Sequence, residues 1–162
     1  MAEPPASKEK ANFIVTLKNN PLSITVLMSP SLEYLAMKAA EIKNNPNGNY
    51  DCTNLAREMK KIILAEKGRE AEVLRFAILN QYGEPLRSIA PLSLPGKNWL
   101  YHDVCGVDKE TIYDPFAGKD IISIEEYALR MFGEETPYHA EEELYRLYEK
   151  AANRNLSPLR IL

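Results

Sequence analysis

The chain has 162 residues, of which 45% are hydrophobic and 27% are charged, and its formal net charge is -3. A domain of this length buries a hydrophobic core without disulfides or metals. The slight negative charge and the lack of a long basic run exclude the positive surface typical of nucleic-acid binding, so we expect no nucleic-acid partner. The sequence shows no secretory signal and no run of about 18 apolar residues, so we also expect no membrane span.

The N-terminal segment Met1–Asn12 is polar, contains proline and has no hydrophobic period. It is therefore predicted to be a disordered tail that precedes a single domain over residues 13–162. Two short segments rich in β-branched residues follow, Phe13–Leu17 and Leu22–Met28, and each predicts a strand.

Two helices are predicted next. Apolar residues recur at helical spacing from Ser31 to Lys43, and a turn-forming run of asparagine, proline and glycine follows. A second apolar stripe runs from Cys52 to Gly68, where glycine suits a left-handed C-cap. Asp51 is a good N-cap, which places Cys52 at the first helical position, beside unpaired N–H groups and the positive end of the helix dipole.

The middle of the chain predicts antiparallel strands. Val73–Leu79 is a continuous apolar run typical of a buried strand, and Gln81–Asn98 is a long loop of the kind that carries substrate specificity. Trp99–Val107 predicts a second strand, Asp108–Lys109 a tight turn, and Glu110–Tyr113 the returning strand.

The C-terminal part predicts helices. Ser123 and Glu126 have the spacing of a capping box, and the helix they begin should end at Gly133, after about Phe132. Pro137 is predicted to open a further helix. The predicted order therefore indicates an α+β domain, with helices first, antiparallel strands in the middle and helices at the end.

Three residues in this layout suit nucleophilic thiol chemistry. Cys52 lies at a helix N-terminus, which favours the reactive thiolate, and His102 lies on a strand where its imidazole could move a proton as general base and acid. Asp114 ends the neighbouring strand and could orient the imidazole. Asp103 is a rival third member, but successive residues of a strand point to opposite faces, so it should point away from the partner of His102.

Each residue also has a structural explanation. Cys52 lies on the apolar stripe of its helix, where a buried core cysteine is common. Cys105 lies in the middle of a strand, on the face opposite His102, and is expected to be structural, although a disulfide between the two cysteines stays open. His139 is expected to be exposed. The sequence lacks the Cys and His spacing of a zinc site, so we expect no metal and no other cofactor.

The segments YDCTNLAREM, LYHDVCGVD and TIYDPFAG, with Cys52, His102 and Asp114 in that order, resemble the papain-like fold of cysteine peptidases and deamidases, especially its small toxin and effector members. The resemblance covers residues 49–118. It implies a papain-like α+β fold, with a central N-terminal helix packed on a small antiparallel sheet and extra C-terminal helices. It also implies hydrolysis of an amide bond in a protein substrate, by a protease or a deamidase, with transamidation when an amine replaces water.

The resemblance further implies a bacterial effector, secreted or delivered into the cytoplasm of a target cell, with an immunity protein as partner. The chain departs from the family pattern because it has no glutamine before the nucleophile to donate to an oxyanion. Asn47 and Asn49 are the side-chain candidates for that role, beside the backbone N–H of Cys52. Thr53 and Asn54 follow the cysteine, which is unlike an ordinary papain-type peptidase.

A non-enzymatic function is the alternative hypothesis. The acidic charge and a tyrosine-rich C-terminal helix, with Tyr138, Tyr145 and Tyr148, would suit an adaptor or immunity-type domain that binds another protein. The sequence leaves the oligomeric state open.

Overall fold

A computed structural model of the chain describes residues 30–44, 52–115 and 121–155. The N-terminal tail, the two strands predicted before residue 29, Asn47, Asn49 and Asp51 lie outside these ranges. None of the helices within them is long and apolar enough to cross a membrane.

The described ranges form an α+β domain, which confirms the predicted class. The helices are α1 Pro30–Asn44, α2 Cys52–Lys67, α3 Ile124–Phe132 and α4 Glu141–Asn153. The strands are β1 Ala71–Phe76, β2 Ile78–Leu79, β3 Pro85–Arg87, β4 His102–Val107, β5 Thr111–Tyr113, β6 Ile121–Ser123 and β7 Tyr138–Ala140. Five strands form an antiparallel sheet in the order β6-β5-β4-β1-β7, and β2 pairs with β3 separately.

The first two helices confirm the sequence prediction. Both begin and end within one residue of the predicted limits, and Gly68 takes a left-handed φ of +62° directly after α2. Their apolar stripes join one core, to which Leu32 and Leu35 of α1 and Leu55 and Met59 of α2 contribute. Helix α2 therefore packs its buried face between α1 and the sheet.

Strands β1 and β4 lie at the centre of the sheet. Arg75 is paired with Asp103, and Phe76 with His102. Because successive side chains of a strand alternate, these two pairs point to opposite faces of the sheet. The predicted strand Val73–Leu79 is interrupted at Ala77, whose N–H donates to the carbonyl of Pro137 at 3.2 Å.

An aromatic cluster fixes α3 on the sheet. The ring of Phe76 lies 5.1 Å from Tyr127, 5.8 Å from Phe132 and 5.7 Å from Tyr138, measured between ring centroids. Burial of such rings supplies a large share of core stability. The predicted ends of this helix are confirmed, because the Ser123 hydroxyl accepts from the N–H of Glu126 and a left-handed glycine follows Phe132.

The prediction that a helix begins at Pro137 is wrong. Residues Tyr138–Ala140 instead form β7, which pairs with the free edge of β1, and the helix begins only at Glu141. His139 is correspondingly less exposed than expected. Its side chain is 13% exposed, with contacts from its two ring nitrogens to Glu143 and to the carbonyl of Ala77.

The turn between β4 and β5 contains two residues with strained backbone angles. Asp108 and Lys109 have φ values of 55° and 70°, a left-handed conformation that is unfavourable for residues other than glycine. Asp108 accepts a hydrogen bond from Arg69 Nε at 3.0 Å, whereas Lys109 is exposed. We expect Lys109→Gly to raise the free energy of unfolding by roughly 0.5–1 kcal/mol, measured by urea denaturation.

The neighbouring residue is the matched control. Glu110 is equally exposed but is not in the left-handed region, so Glu110→Gly should lower the free energy of unfolding. Equal effects of the two substitutions would contradict the strain at Lys109.

Candidate active site

Cys52 and His102 lie next to each other where helix α2 meets strand β4. Cys52 is the first residue of α2 and is half-buried, and His102 is the first residue of β4 and is 1% exposed. The sulfur of Cys52 is a hydrogen-bond partner of the imidazole. The structure thus brings the predicted nucleophile and the predicted base together, with the sulfur at the more open side of the pair.

Asp114 completes the arrangement from the neighbouring strand. It directly follows β5, and Nε2 of His102 donates to its Oδ2 at 3.1 Å, with both side chains buried. This contact uses Nε2, which leaves Nδ1 as the imidazole nitrogen for the sulfur. The sulfur, the imidazole and the carboxylate thus form a continuous row of contacts. A catalytic role for the three residues stays a prediction.

Tyr127 of α3 holds the carboxylate in place. Its hydroxyl donates a hydrogen bond to Oδ2 of Asp114, the same atom that accepts from the imidazole. The ring of Tyr127 is fully buried against Phe76. Burial, followed by the charge of Asp114, raises the pKa of Tyr127 well above its usual value. The phenol therefore stays neutral and keeps its proton to donate.

Trp99 covers the imidazole. Its ring stacks on His102 with centroids 4.6 Å apart and planes inclined by 23°. The tryptophan is fixed by two backbone hydrogen bonds of 2.8 Å to Ile89, which lies in the segment Gln81–Asn98. That segment was predicted to be a long loop, but it contains β3 and this bridge, so part of it shapes the surroundings of the imidazole.

His102 is held in its charged form. Burial lowers its pKa, but the charge and hydrogen bond of Asp114, with a further contribution from Cys52, raise it to about 10. At neutral pH the imidazole is thus protonated, and both of its nitrogens are donors.

Asp103, the rival third member, belongs to a different cluster. Its carboxylate accepts from Nε and Nη2 of Arg75, at 2.7 and 2.8 Å, and from the hydroxyl of Thr53 at 2.7 Å. The other end of the Arg75 guanidinium donates to the Tyr148 hydroxyl at 2.6 Å. Asp103 is thus engaged by an arginine on the paired strand, while the imidazole has Asp114.

Cys105 is a core residue. It is fully buried, both cysteines are free thiols, and burial raises the pKa of Cys105 to about 12. The disulfide that the sequence left open is not formed. Over residues 30–44, 52–115 and 121–155 there is no group of three side chains placed to hold a metal ion.

Sequence reasoning missed Trp99 and Tyr127. The tryptophan is the single one in the chain and stands three residues before His102, a spacing that could have drawn notice. Tyr127 is one of the buried residues of α3, and nothing in the sequence distinguishes it from an ordinary core tyrosine. Comparisons with protein families, with curated proteins and with solved structures find no match to this chain.

The raised pKa of His102 predicts how stability changes with pH. His102 binds its proton more tightly in the folded chain than in the unfolded chain, where its pKa is 6.5. The protonated imidazole therefore stabilises the folded chain fully below pH 6.5, and this stabilisation is lost as the pH rises through about 10. We expect the free energy of unfolding of the wild type, relative to His102→Gln, to fall by up to about 1.4 kcal/mol per pH unit between these values.

The measurement is urea denaturation at a series of pH values. A flat difference for His102→Gln would show that the buried imidazole is not held charged.

Proposed function

We propose that this domain is a thiol hydrolase that cleaves amide bonds with Cys52 as nucleophile, His102 as general acid and base, and Asp114 as orienting carboxylate. The observation that carries the proposal is the continuous chain of contacts from the half-buried sulfur through the buried imidazole to the buried carboxylate. Burial lowers the pKa of His102 but Asp114 raises it to about 10, and ionisable groups with strongly perturbed pKa values concentrate at functional sites.

The first half of the reaction forms a thioester. The Cys52 thiolate attacks the carbonyl carbon of the amide, and a carbon–sulfur bond forms while the carbonyl oxygen becomes an oxyanion. The N–H groups of the first turn of α2 can stabilise this charge. The proton of His102 then passes to the amide nitrogen, the carbon–nitrogen bond breaks, and ammonia or an amine leaves.

The second half regenerates the enzyme. Neutral His102 takes a proton from water as the oxygen attacks the thioester carbon, the carbon–sulfur bond breaks, and a carboxylic acid and the thiolate result. Asp114 keeps the ring oriented in both halves because its bond to Nε2 does not have to change. An amine in place of water would give transamidation by the same steps.

The resemblance to papain-like toxins and effectors narrows the proposed substrate to a protein. Attack on a side-chain amide would make the domain a deamidase, and attack on the backbone would make it a protease. In the same proposal the domain is secreted or delivered by a bacterium, acts in the cytoplasm of a target cell and is neutralised by an immunity protein.

The alternative adaptor function loses one of its supports. The sequence suggests Tyr148 as a contact anchor, but Tyr148 is 5% exposed and its hydroxyl accepts a hydrogen bond from buried Arg75. Tyr138 and Tyr145 remain exposed. A non-enzymatic domain would have no use for a reactive thiol, so the reactivity of Cys52 separates the two hypotheses.

Alkylation of the native protein tests the thiol and imidazole pair. We expect iodoacetamide to label Cys52 selectively near neutral pH, and we expect His102→Ala to slow this labelling by roughly tenfold or more, because the charged partner of the thiolate is lost. The rate would be followed by mass spectrometry of the peptides that contain each cysteine.

Cys105 is an internal control for this measurement. It is fully buried and should label only when the chain unfolds. Cys52 labelling that does not depend on His102, or that appears only together with Cys105 labelling, would contradict the proposed pair and favour the binding function.

Turnover should depend on the same cysteine. We expect the wild type, incubated with a cell extract, to produce either new peptide termini or glutamine residues converted to glutamate, and we expect Cys52→Ala to produce neither. Cys105→Ser is the control and should keep the activity. Equal products with wild type and Cys52→Ala would show that they arise from another protein in the extract.

A further inference from the structure

We propose that Thr53 is a positioning residue for the Cys52 and His102 pair, acting through its hydrogen bond to Asp103. This inference rests on the proposed function. The hydrogen bond joins Thr53 to Asp103 and involves neither the sulfur of Cys52 nor the imidazole of His102.

The contact joins the two chain segments that carry the pair. Thr53 directly follows Cys52 at the start of α2, and Asp103 directly follows His102 at the start of β4. The Thr53 hydroxyl donates to Asp103 Oδ2 at 2.7 Å, and both side chains are buried, at 0% and 2% exposure. Consecutive α carbons are only about 3.8 Å apart, so this bond limits the movement of the sulfur relative to the imidazole.

The acceptor itself is held rigidly. Arg75 donates two parallel hydrogen bonds to the carboxylate of Asp103, and its guanidinium lies 4.0 Å from the centroid of the Tyr101 ring. Two hydrogen bonds between an arginine and a carboxylate fix both direction and distance. Because Asp103 cannot turn to follow a displaced helix, loss of the Thr53 bond frees α2 and not the strand.

The effect on reactivity follows from geometry. A thiolate and an imidazole must stay within hydrogen-bond distance, and a displacement of about 1 Å in an active site can cost up to about 100-fold in rate. We expect Thr53→Val, which replaces the hydroxyl by a methyl group, to slow Cys52 alkylation by about tenfold in the folded protein. Thr53→Ser retains the hydroxyl and should restore the wild-type rate.

Two controls separate positioning from general destabilisation. Thr111 is also a buried threonine, and its hydroxyl donates to the carbonyl of Val107 at 2.8 Å, away from the pair. Thr111→Val makes the same chemical change and should leave the Cys52 rate unaltered. Tyr148→Phe removes a partner of Arg75 but keeps the Thr53 bond, so it should lower stability without slowing alkylation.

A double-mutant cycle identifies the route of the effect. If Thr53 acts through the pair, Thr53→Val should slow alkylation about tenfold when His102 is present and have little effect in the His102→Ala background. Labelling of Cys105 reports any unfolded fraction in each variant. If Thr53→Val does not fold, Thr53→Ala gives the same comparison, since alanine also lacks the hydroxyl and favours a helix.

The outcomes are distinct. A wild-type rate in folded Thr53→Val, with the dependence on His102 intact, would overturn the positioning role and leave the proposed function standing. An equal loss with and without His102 would also overturn it, because the effect would not pass through the pair. A wild-type Cys52 that reacts independently of His102 would overturn the proposed function and this inference together.

Discussion

The buried ion pair between Arg75 and Asp103 is the constraint on which the rest of the domain depends. Both side chains are fully removed from solvent between the two central strands, where an unpaired charge would be strongly destabilising. The pair is tolerated because its remaining hydrogen-bonding groups find partners in Thr53 and Tyr148. Those partners belong to α2 and α4, so satisfying one charge pair in the sheet fixes the start of one helix and the middle of another against it.

The opposite face of the same two strands is organised by aromatic packing. Phe76 lies one residue from Arg75 and contacts Tyr127, whose hydroxyl in turn bonds to Asp114. The carboxylate beside the imidazole is therefore held by a core residue of α3, and the sulfur is carried by a helix tied to the sheet by the polar cluster. Groups placed on packed helices and strands keep their geometry better than groups placed on loops.

The charge of His102 is kept in the buried site by its partners. Burial by itself would favour the neutral imidazole, but the charge and hydrogen bond of Asp114, with a contribution from Cys52, outweigh the loss of hydration and keep His102 protonated. An ordinary core would have an apolar residue at this position of a central strand. His102 is instead a charged group with a stacked tryptophan on its ring and a phenol bonded to its carboxylate partner, and perturbed groups of this kind concentrate at functional sites.

The sequence by itself determined the local features: helices α1 and α2, the ends of α3, the turn at Asp108 and Lys109, and the order of Cys52, His102 and Asp114 along the chain. Each depends on neighbours within a few residues, through hydrophobic period, caps or turn residues. The tertiary structure alone decided that Tyr138–Ala140 is a strand, because the free edge of β1 offers hydrogen bonds that no local pattern reveals. It also decided the contacts of Asp103 with Thr53 and of Tyr127 with Asp114, since the partners are 50 and 13 residues apart and are brought together by packing and not by sequence period.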